Sequence, residues 1–226
     1  MTVTNRLHYL NKIFENFLRQ GHTKKELIII LNNNKLDLNM YQLEAANHNN
    51  IKVFQLDEKK TLGECKNFAF KNTKFEYIAY FDDDDYYGPN YLSGTLNNFN
   101  NVRCDIIGKK AFFIYFEKNK TLAICLQQRE NQYVNHVADS SLIVKRQVLQ
   151  KISFPSIAGS GTVSSFQKEC IKKGFRIYSS DRFNYVAHRH PNPKLEHTWK
   201  IDDSNLLKNC RIIKNNITDY ARYVIK

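Results

Sequence analysis

The sequence lacks any continuous apolar run of about 18 residues or more, the length that a membrane-spanning helix needs. It also lacks the apolar segment of a secretory signal near its N-terminus. On these two absences we expect neither an integral membrane protein nor a secreted one. We therefore expect a cytoplasmic protein, either freely soluble or bound peripherally at a membrane.

Cysteine is scarce and irregularly placed, with five residues in 226 positions and no Cys-x-x-Cys pair. An odd number at wide spacing gives neither a disulfide framework nor a zinc site, so a reducing compartment is expected. The five are Cys65, Cys104, Cys125, Cys170 and Cys210.

The usual signatures of nucleic-acid binding are also missing. The chain has no arginine-rich run, no zinc-finger spacing and no basic and aromatic motif of the RNA-binding type. Its net charge is nevertheless +12, which attracts anionic partners in general. We expect contact with an anionic membrane face or with anionic substrates, and no specific nucleic-acid partner.

Repeats, low-complexity tracts and interdomain linkers are absent, and 226 residues suit a single core better than two. Helical and strand-like patterns alternate through residue 81, which predicts βαβ units and a parallel sheet. The predicted helices cover 7–18, 40–47, 62–70, 91–99, 145–151 and 166–173, with a helical tail from about Ser204. The predicted strands cover 26–31, 51–56, 77–81, 105–116, 121–126, 141–144 and 175–179, and 153–165 is predicted to be an irregular loop.

One stretch stands out, because an apolar strand ending at Phe81 runs directly into Asp82, Asp83, Asp84 and Asp85. Four adjacent carboxylates repel one another unless a cation or hydrogen-bond donors compensate them. Mg²⁺ prefers oxygen ligands and often shares them with substrate phosphates, so a metal-bridged phosphate site is one interpretation. The other is a solvated acidic loop. In a parallel sheet this loop and Asn32–Asn34 should meet at one crevice.

The chain resembles glycosyltransferase family 2. The similarity covers about residues 2–199 and rests on Gln20 before the strand 26–30, Leu62-Gly63 with Asn67, Tyr77-Ile78 leading into the aspartates, Pro89 and Arg189. It implies one α/β domain of the GT-A (Rossmann-like) fold, with a mostly parallel central sheet, helices on both faces and a smaller antiparallel acceptor-side region. Residues 1–100 would bind the nucleotide sugar, 101–200 the acceptor, and 201–226 would form a helical tail.

The resemblance also implies site residues. A donor nucleotide would be bound by Thr2, Asn5, Arg6, Asn33, Asn67, Asp82, Asp83 and Arg189. Mg²⁺ or Mn²⁺ would be held by Asp84, Asp85 and a late histidine, for which we take His197.

The chain departs from the family pattern in three places. Asn33 stands where an aspartate usually pairs with uracil, and the first strand is reduced to Met1–Val3, as in a fragment or an unusually short strand. Residues 159–166 contain no carboxylate where the catalytic base is normally found. Three explanations remain open: a base from elsewhere, Asp139 or Asp181; a histidine, His188 or His190; or a relative without activity.

The resulting hypothesis is a metal-dependent inverting glycosyltransferase. It would move a sugar from a nucleoside diphosphate donor, a UDP- or dTDP-sugar, to a hydroxyl of a cell-surface glycan or lipid-linked acceptor. The segments Asn184-Tyr185-Val186 with Arg189 and His197-Thr198-Trp199 resemble the branch of this family that acts on capsule, spore-coat or other cell-surface polysaccharides. The alternative hypothesis is a catalytically impaired nucleotide-binding or scaffold protein on the same fold.

Overall fold

The computed structural model of the chain describes residues 1–191 and 201–226. In these two ranges no helix is both long and apolar enough to cross a membrane. The helices are α1 Leu10–Leu18, α2 Leu38–Ala45, α3 Leu62–Lys71, α4 Tyr91–Asn101, α5 Arg146–Lys151, α6 Thr162–Lys172, α7 Asp203–Leu207 and α8 Ala221–Val224. The strands are β1 Thr2–Thr4, β2 Leu27–Leu31, β3 Ile51–Gln55, β4 Tyr77–Ala79, β5 Tyr86–Tyr87, β6 Ile106–Gly108, β7 Phe112–Phe116, β8 Thr121–Cys125, β9 Gln132–Val134, β10 Ile143–Lys145, β11 Ile177–Ser179, β12 Tyr185–Arg189 and β13 Cys210–Lys214.

The central sheet consists of two parts that meet at Met1. One part has three strands in the order β1-β2-β3 and is parallel, and the other has five strands in the order β4-β10-β6-β11-β9. The Met1 nitrogen donates to the Ala79 carbonyl at 2.6 Å, and the Phe81 N–H donates to the Met1 carbonyl at 3.0 Å. This is the hydrogen-bond pattern of a parallel bridge, so β1 runs alongside β4. Only β10 and β9 are antiparallel to their neighbours, which confirms the predicted mostly parallel sheet.

Strand β2 shows why helices cover both faces of this sheet. Its five apolar residues are all buried, and successive side chains point to opposite faces. Leu27, Ile29 and Leu31 pack with α1 and α2, while Ile28 and Ile30 pack with α3 and α6. A strand buried on both faces is continuously apolar, and this is the pattern that the sequence shows.

A second five-stranded sheet has the order β13-β8-β7-β12-β5 and is mainly antiparallel. The predicted hairpin is confirmed as β7–β8. Its predicted first strand, 105–116, is wrong in extent, because β6 belongs to the central sheet and β7 to the second one. The chain changes sheets beside Gly108, where a Cβ atom would approach the Val137 side chain to 2.5 Å.

Two further elements differ from the sequence-based assignment. The loop predicted for 153–165 ends earlier, because α6 begins at Thr162 after Gly161, whose φ of 98° suits glycine. The tail over 201–226 is not wholly helical, since β13 forms there and pairs with β8. Strands β9 and β12 were not predicted, because their polar and histidine residues hide the alternation.

The expectation that the cysteines form no disulfide is wrong. Cys125 and Cys210 are bonded across the β8–β13 ladder, where they are directly opposed residues. The other three, Cys65, Cys104 and Cys170, are buried free thiols. Sequence spacing could not reveal the pair, because strand register brings together residues that are 85 positions apart.

An apolar cavity of about 480 Å³ lies beside the start of β2, with Met1, Leu27, Ile28 and Ile78 among its lining residues. Beside this cavity, β1 first pairs with β2 at Ile29. The aspartates 82–85 do not line the cavity, because they follow β4 at the carboxyl edge of the sheet.

Candidate active site

The acidic loop, residues Asp82–Asp85, follows β4 at the carboxyl edge of the central sheet. Asp82, Asp84 and Asp85 each bring a carboxylate oxygen to within 4.8 Å of the others. Asp82 is exposed, whereas Asp84 and Asp85 are buried. The loop therefore presents a partly open cluster of oxygen ligands.

Buried tyrosines hold the loop in this shape. The ring of Tyr87 stacks on Phe81 at a centroid distance of 3.7 Å. Its hydroxyl accepts from the Asp82 N–H at 2.8 Å and donates to the Ser140 carbonyl at 2.6 Å. Tyr87 thus connects the acidic loop to the 3-10 turn Asp139–Ser141.

Asp83 and Asp84 are tied to the segment that follows β1. The Thr4 hydroxyl donates to Asp83 Oδ2 at 2.5 Å, and the Arg6 guanidinium pairs with Asp83 and, at 2.9 Å, with Asp84. Burial disfavours the charged form of Arg6, but Asp83 and Asp84 outweigh this effect and raise the pKa of the guanidinium above its ordinary value. Arg6 thus lies beside Asp83 and Asp84, and the donor and metal roles predicted for these three residues stay predictions.

Asp85, the last residue of the loop, is also buried. Its carboxylate accepts from the Tyr185 hydroxyl at 2.8 Å and from the His188 N–H at 2.9 Å. Burial and the neighbouring charge of Asp84 raise the pKa of Asp85 to about 6, in spite of these donors. A cation beside the loop would offset both effects and favour the ionised form.

A second cluster joins the acidic loop from the side. His190 Nε2 lies 3.4 Å from Asp84 Oδ2 and 3.0 Å from the Tyr9 hydroxyl. Glu117 accepts from Nδ1 of both His188, at 2.8 Å, and His190, at 3.0 Å. Burial opposes the ionisation of Glu117, but these two donors keep its pKa well below the usual range. Burial likewise opposes the charge on His190, and the two carboxylates raise its pKa to about 9.

Asp139 faces the same space from the 3-10 turn, and its side chain is exposed. Desolvation by the surrounding protein raises the pKa of its carboxyl to about 6, against the attraction of Lys66. Lys66 is buried and interacts electrostatically with both Asp82 and Asp139. Burial lowers the pKa of Lys66.

The other two predicted catalytic residues, Asp181 and His188, are hydrogen-bonded within the protein. Asp181 accepts from the Lys109 ammonium at 3.3 Å and from the Phe183 N–H at 3.0 Å, and none of its described contacts reaches the acidic loop. His188 has both ring nitrogens bonded, to Glu117 and to the Tyr220 hydroxyl at 2.7 Å. The structure therefore brings Asp139 and His188 to the site and leaves Asp181 apart from it.

Several predicted donor-binding residues have structural contacts. Thr2 is buried within the central sheet, and Thr4 is the β1 residue that reaches the acidic loop. The Asn33 amide donates to the Asn5 carbonyl at 2.9 Å, which joins the loops after β1 and β2. The predicted meeting of the loops after β2 and β4 is thus indirect, through the segment that follows β1.

Asn67 and Arg189 also have protein partners. The Asn67 carboxamide both donates to and accepts from the backbone of Phe154, at 2.8 and 2.9 Å. The guanidinium of Arg189 is buried and pairs with Asp203 at 2.7 Å. His197, predicted as a metal ligand, lies outside the described residues.

Sequence reasoning missed Lys12, Lys66, Glu117 and Tyr220. The Lys12 ammonium donates to the Asp84 carbonyl. Burial lowers the pKa of Lys12, against the attraction of the Asp85, Asp84 and Glu117 charges. No local motif marks these residues. Only the pairing of β7 with β12 sets Glu117 beside the histidines, and the one available signal was the alternation in His188-Arg189-His190.

The donor set fits a hard divalent cation, because three carboxylates from one loop supply oxygen atoms at close range. A nearby imidazole nitrogen is compatible with Mn²⁺. The choice between Mg²⁺ and Mn²⁺ does not follow from this geometry.

A mixed α/β sheet with helices on both faces and an acidic loop at the carboxyl end of a central strand defines a GT-A glycosyltransferase fold. The family model described as glycosyl transferase family 2 matches residues 1–149, so this chain belongs to that family. The predicted family and fold class are therefore confirmed.

Known structures agree with this fold. S. aureus TarS 1-349 in complex with UDP-GlcNAc is similar at a TM-score of 0.65 and 17% identity, over 89% of this chain and 60% of that one. The mannosyltransferase PcManGT from Pyrobaculum calidifontis, in complex with GDP-Man and Mn²⁺, is similar at 0.64 and 12%, over 83% and 55%. This chain thus spans little more than half of either structure. No curated protein sequence matches it.

Proposed function

We propose that this chain is a metal-dependent, inverting glycosyltransferase that uses a nucleoside diphosphate sugar. The supporting observation is the cluster of Asp82, Asp84 and Asp85, whose oxygens lie within 4.8 Å of one another at the carboxyl edge of the sheet. A divalent cation held there would neutralise the departing diphosphate. Arg6, Lys12 and Lys66 surround the cluster and would add positive charge to the same site.

The donor that we favour is a UDP- or dTDP-sugar. Support comes from the TarS complexes with UDP-GlcNAc and with UDP, although the mannosyltransferase complex contains GDP-Man. The acceptor that we propose is a hydroxyl of a glycan or a lipid-linked glycan, and contact with an anionic membrane would follow from the net charge of +12.

Asp139 is the best candidate for the general base. Its carboxylate is exposed beside the acidic loop, and the one described hydrogen bond to its side chain comes from Gln167, at 3.3 Å. A pKa of about 6 suits proton removal near neutral pH. It would replace the carboxylate that residues 159–166 lack.

Replacement of Asp84 tests the metal-dependent function. Asp84→Asn should lower Mn²⁺-dependent release of nucleoside diphosphate about 100-fold or more, because one of the clustered charges is lost. The assay would follow the release of nucleoside diphosphate from a panel of UDP-, dTDP- and GDP-sugars. Asp105→Asn is the matched control, since Asp105 lies before β6 at the opposite edge and accepts a backbone hydrogen bond that asparagine can keep.

The second candidate function is a nucleotide-binding protein without transferase activity, and the absence of a carboxylate in 159–166 favours it. This alternative predicts that nucleotide and Mn²⁺ raise the melting temperature of the wild type with no release or transfer across the panel. Full activity of Asp84→Asn would contradict the first proposal.

A further inference from the structure

Glu117 lies directly after β7 and was not expected to take part in the site. Its N–H donates to the Arg189 carbonyl at 3.0 Å, which extends the β7–β12 register by one residue and places Glu117 beside His188 and His190. Its side chain is 29% exposed, whereas those of His188 and His190 are only 10% and 7% exposed. The two histidines are thus enclosed by protein, and Glu117 is the acid that they share.

Each oxygen of Glu117 is bonded to a different imidazole. Oε1 lies 2.8 Å from His188 Nδ1, and Oε2 lies 3.0 Å from His190 Nδ1. An ionised carboxylate can only accept, so both Nδ1 atoms carry hydrogen. The rings are therefore oriented with Nε2 pointing away from Glu117.

The two Nε2 atoms reach different partners. His188 Nε2 lies 2.7 Å from the Tyr220 hydroxyl, and the backbone N–H of the same residue donates to Asp85. His190 Nε2 lies 3.4 Å from Asp84 Oδ2 and 3.0 Å from the Tyr9 hydroxyl. One imidazole thus connects the acidic loop to the C-terminal segment, and the other lies between Tyr9 and the Asp84 carboxylate.

We propose that Glu117 is a positioning residue, which fixes His190 with Nδ1 protonated so that Nε2 is presented to the acidic loop as a nitrogen ligand for the divalent cation. A carboxylate behind a metal-binding histidine orients the ring and increases its basicity. This inference rests on the proposed metal-dependent function. It adds a residue that follows β7 of the second sheet to the aspartates that follow β4 of the central sheet.

The substitution Glu117→Gln tests this role with little change in size. Glutamine keeps one acceptor oxygen but replaces the other with an amide donor, which cannot accept from the second Nδ1. With excess UDP present, we expect the Kd for Mn²⁺ to rise about 10- to 100-fold, as for other residues behind a metal ligand. The measurement is a Mn²⁺ titration followed by electron paramagnetic resonance.

Glu130→Gln provides the matched control. Glu130 pairs with Arg182 at 2.8 Å, and none of its described contacts involves the acidic loop. The same chemical change there should leave the Kd for Mn²⁺ unaltered. Circular dichroism of both variants would show whether each one folds.

A spectroscopic signature separates positioning from a purely structural role. Electron spin echo modulation from ¹⁴N should be present in the Mn²⁺-loaded wild type and lost in Glu117→Gln. Wild type that binds Mn²⁺ without this modulation would overturn the inference even if the variant failed to fold. Unchanged Mn²⁺ affinity and modulation in a folded Glu117→Gln protein would also overturn it, and the proposed function would remain. Wild type that binds no Mn²⁺ would overturn both.

Discussion

The carboxylate of Asp139 combines an exposed side chain with a pKa of about 6. A general base must be ionised, so its activity is complete well above this pKa and is lost as the pH falls through it. We therefore expect kcat/KM to decrease below about pH 6, with transferase activity retained near neutral pH. The profile would be measured at saturating Mn²⁺, because Asp85 titrates in the same range.

Asp139→Asn should lower kcat about 100-fold or more, while Mn²⁺ binding is retained. Asparagine can still accept the hydrogen bond from Gln167, which favours an intact fold. Asp181→Asn is the comparison, because it removes the other predicted acid, which bonds to Lys109 instead of the acidic loop. A larger loss in Asp181→Asn than in Asp139→Asn would reverse the assignment.

Individual site residues could be predicted from the sequence where they are consecutive in the chain. Asp82–Asp85 could be predicted because four adjacent carboxylates after an apolar strand are chemically unusual. Lys66 and Glu117 could not, because each is surrounded by ordinary residues in the chain and joins the site only through folding. Asn67 and Arg189 were expected to bind the donor, and in this structure their side chains bond to protein groups.

Gly63 in α3 packs closely against Pro155, in the loop before α6. A Cβ atom on Gly63 would lie 2.1 Å from the Pro155 carbonyl oxygen, so the loop before α6 would have to move. Gly63→Ala should therefore destabilise the protein by about 1–3 kcal/mol. Urea unfolding of wild type and variant would measure the difference.

Gly94 in α4 is the natural counterpart of Gly63. A Cβ atom there meets nothing within 4 Å, and the residue is exposed. Gly94→Ala should stabilise the protein by about 0.5–1 kcal/mol, because alanine loses less backbone entropy in a helix. Equal shifts of the same sign in the two variants would contradict the packing described for α3.

Elements with a strong hydrophobic pattern were predicted, and those with a mixed pattern were not. Strand β2 is apolar throughout and was assigned almost to the residue. Strand β12 lies between β7 and β5, yet its alternation is hidden by the polar residues His188 and Arg189. Polar side chains with partners inside the protein thus weakened the signal that identifies their strand.

At the scale of the whole molecule, alternating strands and helices were sufficient for the fold class, whereas long-range register was not predictable. The Cys125–Cys210 disulfide joins residues at a sequence separation of 85, and closing such a loop restricts the unfolded chain. Reduction should lower the free energy of unfolding by about 2–4 kcal/mol. Urea unfolding with and without reductant would measure this loss.

Cys210→Ser should reproduce the effect of the reductant and make the protein insensitive to it. A wild type whose unfolding midpoint is the same in both conditions would contradict a formed disulfide. Because disulfides persist under oxidising conditions, the predicted reducing compartment has lost the cysteine pattern as its support.

The bridge between the two parts of the central sheet consists of the hydrogen bonds made by Met1. Side chains add to this bridge, because Thr4 and Arg6 contact Asp83, and Lys12 and Asn16 of α1 donate to the Asp84 and Asp85 carbonyls. Local opening of β1 would therefore also release the acidic loop. A cation bound to that loop is expected to slow the exchange of the β1 backbone amides with solvent, which hydrogen exchange with and without Mn²⁺ would measure.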